Sequence, residues 1–187
     1  MKNLGTVTLE TDRLILRKCM ESDYKDSYKY CCSDPELCRL QDFEVHKSDE
    51  VTKRSFKEKE ERYKIDNSFY EWAIVRKEDN QFMGEIALVQ YDDKYNAIQL
   101  GYHLGKAFRG QWYMQEAVSI ILKFAFEELD LAQVYALILS DNFSSQKVVK
   151  SNNLEYSRVV DRKEKGLIDK YKITKEKYFE LNNKKTK

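Results

Sequence analysis

The change in hydrophobic spacing halfway along this chain constrains its fold more than any other feature. Three successive strands are predicted between residues 70 and 104, separated by turns rich in Asp and Asn: Tyr70–Arg76, Phe82–Gln90 and Ala97–Leu104. From Trp112 to Leu129 the apolar residues instead recur at helical spacing, which predicts an amphipathic helix with a wide buried face. Ala132–Ser140 is nearly all apolar, which is typical of a strand covered on both sides.

The N-terminal part adds a strand and two helices. Val7–Lys18 is predicted to be one strand, with Leu14 and Leu16 on the same face. Ser22-Asp23 has the character of a helix start. The highly charged stretch Ser48–Lys64 is predicted to form a second helix, and such a charge run usually marks a solvated helix face.

The C-terminal part closes the fold with a helix and a hairpin. A short helix is expected over Phe143–Asn152, with Asn142 as its cap. Two strands follow, Tyr156–Lys163 and Leu167–Thr174, with a turn at Lys165-Gly166 between them. The order of elements along the chain therefore predicts an α/β fold whose sheet has mixed strand directions.

Composition narrows the class of protein. The chain has 187 residues, which argues for one domain, and 33 Lys plus Arg against 32 Asp plus Glu leave a net charge of +1. That balance disfavours nucleic-acid or membrane binding driven by a strong basic field. No apolar run approaches the roughly 18 residues of a membrane span, and the first residues lack the apolar stretch of a secretory signal, so we expect a cytoplasmic protein. The four cysteines have no metal-site spacing, so free thiols and no metal are expected.

The segment Leu104–Ala117 carries the chemistry. A predicted strand ends there, a short loop containing glycine follows, and a long helix begins, which directs unpaired backbone N–H groups and the positive end of a helix dipole to one point. Such a point binds phosphate, and Arg109 adds a positive charge. A nucleoside-triphosphate loop is excluded because Gln111 and Trp112 stand where Lys and Ser/Thr are needed. An ordinary strand-to-helix turn remains open as the alternative.

At this segment the sequence resembles the GNAT (GCN5-related N-acetyltransferase) superfamily, in particular its ribosomal-protein-alanine acetyltransferase-like branch. The family pattern Arg/Gln-x-x-Gly-x-Gly/Ala corresponds to Arg109–Met114, although Trp112 and Met114 stand at its glycine and Gly/Ala positions. Further matching segments occur in the family's order: Thr11–Arg17, Met83–Ile86, Leu100–Leu104, Asn142–Ser145 and Tyr171–Tyr178. The resemblance implies a single domain over residues 8–178, with a mixed, mostly antiparallel central sheet flanked by helices, and a charged C-terminal tail over 179–187.

The same resemblance implies a site. In the family, the loop amides hold the pyrophosphate of coenzyme A and the preceding strand contacts its pantetheine arm. The residues implied to bind this co-substrate are Tyr102, His103, Leu104, Arg109, Gly110, Gln111, Trp112, Tyr113, Met114 and Asn142. Glu85 is the candidate general base, with a rim salt bridge as the alternative, and Ser145 is the candidate proton donor to the leaving thiolate, with an ordinary first-turn helix residue as the alternative. Asn142 is also explained as a helix cap alone.

The resulting hypothesis is an acetyl-CoA-dependent N-acetyltransferase that transfers the acetyl group directly to a primary amine. The acceptor is a protein N-terminus or a small amine, with slight preference for the N-terminus from the branch resemblance. The alternative is a non-catalytic module of the same fold that binds acyl-CoA or another ligand. It rests on Trp112 and on Gln99, which stands where many relatives carry a strand glutamate. A homodimer is left open.

Overall fold

The computed structural model describes residues 1–162 and 166–185. Eight strands are present in this part of the chain: β1 Leu9–Glu10, β2 Leu14–Arg17, β3 Tyr70–Arg76, β4 Gln81–Asp92, β5 Ala97–Leu104, β6 Gln133–Leu139, β7 Glu155–Arg162 and β8 Gly166–Thr174. The α-helices are α1 Tyr24–Ser27, α2 Pro35–Gln41, α3 Asp49–Ile65, α4 Tyr113–Lys123, α5 Phe143–Ser151 and α6 Lys175–Lys185. None of these helices has both the length and the apolar composition of a membrane span.

The strands form one eight-stranded sheet in the order β1-β2-β3-β4-β5-β6-β8-β7. Strands β5 and β6 are parallel, with Ala97 opposite Gln133. The pairs β1–β2, β2–β3, β6–β8 and β7–β8 are antiparallel. The predicted mixed, mostly antiparallel α/β sheet is therefore confirmed. The predicted turn residue Lys165 lies outside the described residues, as do the last two residues of the predicted tail.

The chain packs as two compact units. The loop unit consists of Asn3–Ala87 and Tyr102–Ile120, and the hairpin unit consists of Met1–Lys2, Leu88–Gly101 and Ile121–Lys187. The boundaries predicted for the domain and the tail, 8–178 and 179–187, stay predictions.

The loop unit has an apolar core built from its strands and N-terminal helices. Leu14 and Leu16 are fully buried on one face of β2, as the alternation predicted. The single strand predicted over Val7–Lys18 is wrong, because the chain turns between β1 and β2, where the amide of Thr11 donates to the carbonyl of Leu14. Buried residues of α3, β3 and β4 form a further cluster with the cysteines: Cys19, Cys31, Cys32, Leu37, Phe56, Tyr63, Phe69, Ala73, Val75 and Phe82.

The hairpin unit contains β6 between parallel β5 and antiparallel β8. Burial alternates along β6, with Val134, Ala136 and Ile138 buried and the residues between them partly exposed. The prediction of a strand fully covered on both sides is therefore wrong, since only one face is fully buried. Alternation of this kind is what a sheet with one closely packed face produces.

Candidate active site

The loop between β5 and α4 has the backbone of an anion-binding turn. A short 3-10 turn, Lys106–Phe108, follows β5, and α4 begins at Tyr113. Gly110 has φ of +79°, and a Cβ built there would meet no atom within 4 Å. The first N–H groups of an α-helix have no acceptor within the helix, so the start of α4 presents donors and a positive dipole end to this loop.

Trp112 occupies the turn just before α4 in a left-handed conformation. Its φ is +65°, and its side chain is 64% exposed. Its carbonyl accepts a hydrogen bond from the amide of Glu116 at 3.1 Å. A left-handed non-glycine residue carries a conformational cost of about 1–2 kcal/mol. The family's glycine at this position therefore has a backbone reason, and the indole of Trp112 is exposed to solvent.

Arg13 connects the turn after β1 to this loop. Its Nε donates to Glu116 Oε2 at 2.7 Å, and its backbone amide donates to Glu116 Oε1 at 3.0 Å. Its Nη1 donates to the carbonyl of Gln111 at 3.1 Å, and its guanidinium carbon lies 4.5 Å from the centroid of the Tyr113 ring. Three residues around the start of α4 are thus held by one side chain. Arg13 lies in one of the motif segments, but nothing in its sequence context indicated this role.

The predicted pantetheine-binding strand end is partly buried. Tyr102 and Leu104 are buried at 8% and 7% exposure, and successive strand residues alternate, so His103 lies on the opposite face. Arg109 turns back toward this strand, with its Nε donating to the carbonyl of Leu104 at 3.0 Å. This hydrogen bond holds the loop against the end of the strand. The ligand contacts of these residues stay predictions.

Glu85 belongs to a buried ionic cluster. The Lys59 ammonium contacts Glu71 Oε1 at 2.7 Å and also bonds Glu85 Oε2. Glu85 is 4% exposed, so the salt bridge that was its alternative explanation exists but is buried, not at a rim. The Nε2 atom of His103 lies 4.0 Å from Glu85 Oε1 and is buried without a hydrogen-bond partner in the described part of the chain. Sequence reasoning missed Lys59 and Glu71.

Burial and charge shift the pKa values in this cluster in different directions. Burial raises the pKa of Glu71. Burial also opposes ionisation of Glu85, but the adjacent Lys59 ammonium and the Glu71 carboxyl group together outweigh it, and the pKa of Glu85 is lowered. Burial, together with the nearby Lys59 charge, lowers the pKa of His103 to about 4. At neutral pH, His103 is therefore an uncharged imidazole.

Asn142 and Ser145 lie in the hairpin unit. The Asn142 side chain is the cap of α5, because its Oδ1 accepts hydrogen bonds from the Ser145 amide at 3.1 Å and from the Ser144 hydroxyl at 2.9 Å. Asn142 is also buried, at 5% exposure. The predicted cap is confirmed. The roles predicted for Asn142 in co-substrate binding and for Ser145 in proton donation stay predictions.

A family model described as "Acetyltransferase (GNAT) domain" matches residues 13–155. The chain therefore belongs to the GNAT acetyltransferase family, and it is an acetyl-CoA-dependent acyltransferase, the enzyme class that this family defines.

Individual proteins agree with this assignment. The chain is 26% identical over 167 residues to "Uncharacterized N-acetyltransferase p20" of Bacillus licheniformis, covering 88% of this chain and 93% of the relative. Its fold is similar to that of a ribosomal-protein-S5-alanine acetyltransferase from Vibrio fischeri, with a TM-score of 0.77, 17% identity and coverage of 92% and 98% of the two chains. It is also similar to RimL, a ribosomal L7/L12 alpha-N-protein acetyltransferase solved with coenzyme A, with a TM-score of 0.75, 16% identity and coverage of 90% and 98%.

Proposed function

We propose that this protein transfers the acetyl group of acetyl-CoA directly to a primary amine, without a covalent enzyme intermediate. The acceptor amine is a protein N-terminus or a small amine, and the N-terminus is preferred. That preference rests on the two ribosomal-protein acetyltransferases of similar fold.

The structure of the loop before α4 is the main support for acetyl-CoA as the acetyl donor. Gly110 leaves open space where a Cβ would stand, and Trp112 at the turn before the helix is exposed. Backbone donors at a helix start suit a pyrophosphate. Residues Arg109–Met114 would hold this group, and the strand end Tyr102–Leu104 would lie along the pantetheine arm.

Acetylation of an amine needs a general base, because an amine with a pKa near 10.4 is almost fully protonated at pH 7. Glu85, the predicted base, stays the candidate from the sequence, and its cluster holds a second carboxyl group, that of Glu71. Ser145 stays the candidate donor of a proton to the departing thiolate.

Isothermal titration with acetyl-CoA, with coenzyme A as comparison, tests the donor site. We expect micromolar binding, about −8 kcal/mol. The acceptor is then tested by mass spectrometry with a peptide bearing a free N-terminus, its N-terminally blocked twin as matched control, and spermidine. Acetylation of the free peptide alone supports the N-terminal acceptor. Binding without turnover on either amine favours the non-catalytic alternative, and no heat at millimolar ligand overturns the proposal.

Arg13→Ala tests whether the loop is held in shape by the contacts of this side chain. We expect a roughly tenfold weaker affinity for acetyl-CoA, about 1.4 kcal/mol, because a loop that must be ordered on binding loses preorganisation. Titration calorimetry measures the change. Arg39→Ala is the matched control, since Arg39 pairs with Glu36 at 3.0 Å on the exposed surface of α2. Equal affinities of the Arg13 variant and the parent protein would refute this role.

A further inference from the structure

The cluster around Lys59 places two carboxyl groups against one ammonium in the interior of the loop unit. Lys59 reaches in from α3, Glu71 comes from β3 and Glu85 from the neighbouring strand β4. Both carboxyl groups bond the Lys59 ammonium. Two carboxyl groups that contact one ammonium in a buried site lie close together, so ionisation of both at once is disfavoured.

The imidazole, the thiol and the phenol that face the pair stay uncharged near neutral pH, and a nearby aspartate is held in an ion pair. His103 on β5 is neutral because burial lowers its pKa to about 4. Burial raises the pKa of the Cys19 thiol and of the Tyr63 phenol, so both also stay neutral. Asp23 is bound in a bidentate ion pair to Arg17, with both oxygen–nitrogen distances at 2.8 Å. The carboxyl pair is therefore the group in this cluster that can exchange a proton.

We propose that Glu71 and Glu85 act together as a carboxyl pair that shares one proton, that Lys59 is the positioning residue that sets the charge of this pair, and that the pair accepts the proton of the acceptor amine. The inference deepens the proposed function, on which it rests. The general base is then a pair of carboxyl groups and not a single glutamate. Glu85 stays ionised because it contacts the Lys59 ammonium, and Glu71 takes up and releases the proton.

The step begins from the form of the pair in which both carboxyl groups are ionised. The acceptor ammonium gives one proton to this pair, which then shares it, and becomes a neutral amine. The amine nitrogen attacks the thioester carbon, a C–N bond forms and the C–S bond breaks. The coenzyme A thiolate leaves and takes up the second nitrogen-bound proton to become a thiol. The pair then releases its proton to solvent, with Lys59 charged throughout.

Carbon-13 NMR of protein labelled at the glutamate side-chain carboxyl measures the titration of these carboxyl groups directly. In the parent protein we expect one carboxyl resonance to titrate well above the ordinary glutamate pKa of about 4.3, and to be absent in Glu71→Gln. In Lys59→Met, loss of the cation moves this titration upward by about 1–3 units, whereas Lys59→Arg restores it. Glu61→Gln is the matched control, because Glu61 pairs with Lys64 at 2.7 Å on the exposed face of the same helix.

The pH dependence of kcat/KM, with the free N-terminal peptide or spermidine as acceptor, gives the second readout. We expect the acidic limb to move to higher pH in Lys59→Met and to lower pH in Glu71→Gln, opposite displacements that a structural ion pair does not produce. If no resonance titrates above the ordinary range, or if both variants keep the parent limb, the inference is overturned. A parent protein that shows the raised titration but acetylates no amine refutes the proposed function instead. If Lys59→Met does not fold, Lys59→Arg and Glu71→Gln decide.

Discussion

Gly84→Ala is expected to destabilise the protein strongly, by about 3 kcal/mol, at the upper end of the range for overpacking a close-packed interior. Gly84 lies in β4, directly against β5. A Cβ at this position would lie 2.2 Å from the carbonyl oxygen of His103 and 2.9 Å from the Cα of Leu104. Both are backbone atoms of a neighbouring strand, so they cannot move aside as the end of a flexible side chain can.

The same substitution acts on the candidate active site. His103 and Leu104 form the strand end that precedes the loop, and the amide of Gly105 donates to the carbonyl of Met83 at 2.9 Å. A backbone forced away from Gly84 loosens that junction, so we expect acetyl-CoA binding to weaken together with stability. Urea unfolding gives the free-energy change, and calorimetry gives the affinity.

Gly101→Ala is the matched control for this prediction. Gly101 is also a strand glycine, in β5, but a Cβ there would meet no atom within 4 Å. We expect its free energy of unfolding to stay within about 0.5 kcal/mol of the parent value. Equal effects of the two substitutions would show that loss of glycine in a strand, and not contact with the β5 backbone, determines the cost.

The sequence predicted those helices and strands whose own residues carry the signal, independent of what they pack against. Strand β3 and strand β5 begin and end where the sequence analysis placed them on either side of the turns rich in Asp and Asn. The helix predicted over Trp112–Leu129 is α4 followed by the wider π-helical turn Phe124–Glu128. Its polar stripe and buried face are properties of the sequence itself, so no knowledge of tertiary partners was needed.

Helix α2 was missed although its start carries a local signal. Asp34 caps it, with Oδ1 accepting from the amides of Glu36 and Leu37, and Pro35 occupies its first turn. Asp followed by Pro is a known helix start. The helix has only seven residues, too few for its buried Leu37 and Cys38 to establish a helical period by themselves.

Lys59 was missed for a different reason. It lies in a stretch so rich in charge that the whole helix was interpreted as a solvated face. A signal was nevertheless present, because Phe56 and Tyr63, both buried, stand three residues before and four after Lys59, which places all three on one face of α3. The partners Glu71 and Glu85 could not be predicted, since their proximity depends on how α3 packs on β3 and β4.

Lys59→Met is the second substitution for which we expect a large effect on stability. Methionine is close to the length and volume of the lysine stem, so the main loss is the ammonium that compensates two buried carboxyl groups. Removing one partner of a buried ion pair typically costs about 3–5 kcal/mol, because a buried charge is left uncompensated. We expect a loss of this size at pH 8, measured by urea unfolding.

The pH dependence identifies the cause of this loss. The pKa of Glu85 is lowered in the folded protein by Lys59, so its stabilisation is present above the ordinary glutamate pKa and disappears as pH falls. The pKa of Glu71 is raised by burial, so its contribution has the opposite sign: stability falls as pH rises from the unfolded toward the folded pKa. Without Lys59 both carboxyl groups follow the second pattern. The difference between Lys59→Met and the parent should therefore be largest at pH 8 and shrink steadily toward pH 4.5.

Lys53→Met on the same helix separates this electrostatic effect from a general effect of the substitution. Lys53 is 41% exposed and lies 3.7 Å from Glu21, an exposed pair for which about 0–1 kcal/mol is expected. A loss for Lys59→Met that stays constant from pH 8 to pH 4.5 would mean that packing, not charge, is lost. The two carboxyl groups would then not depend on Lys59 for their ionisation, and the explanation of the buried cluster as one coupled group would fail even if the variant were unstable.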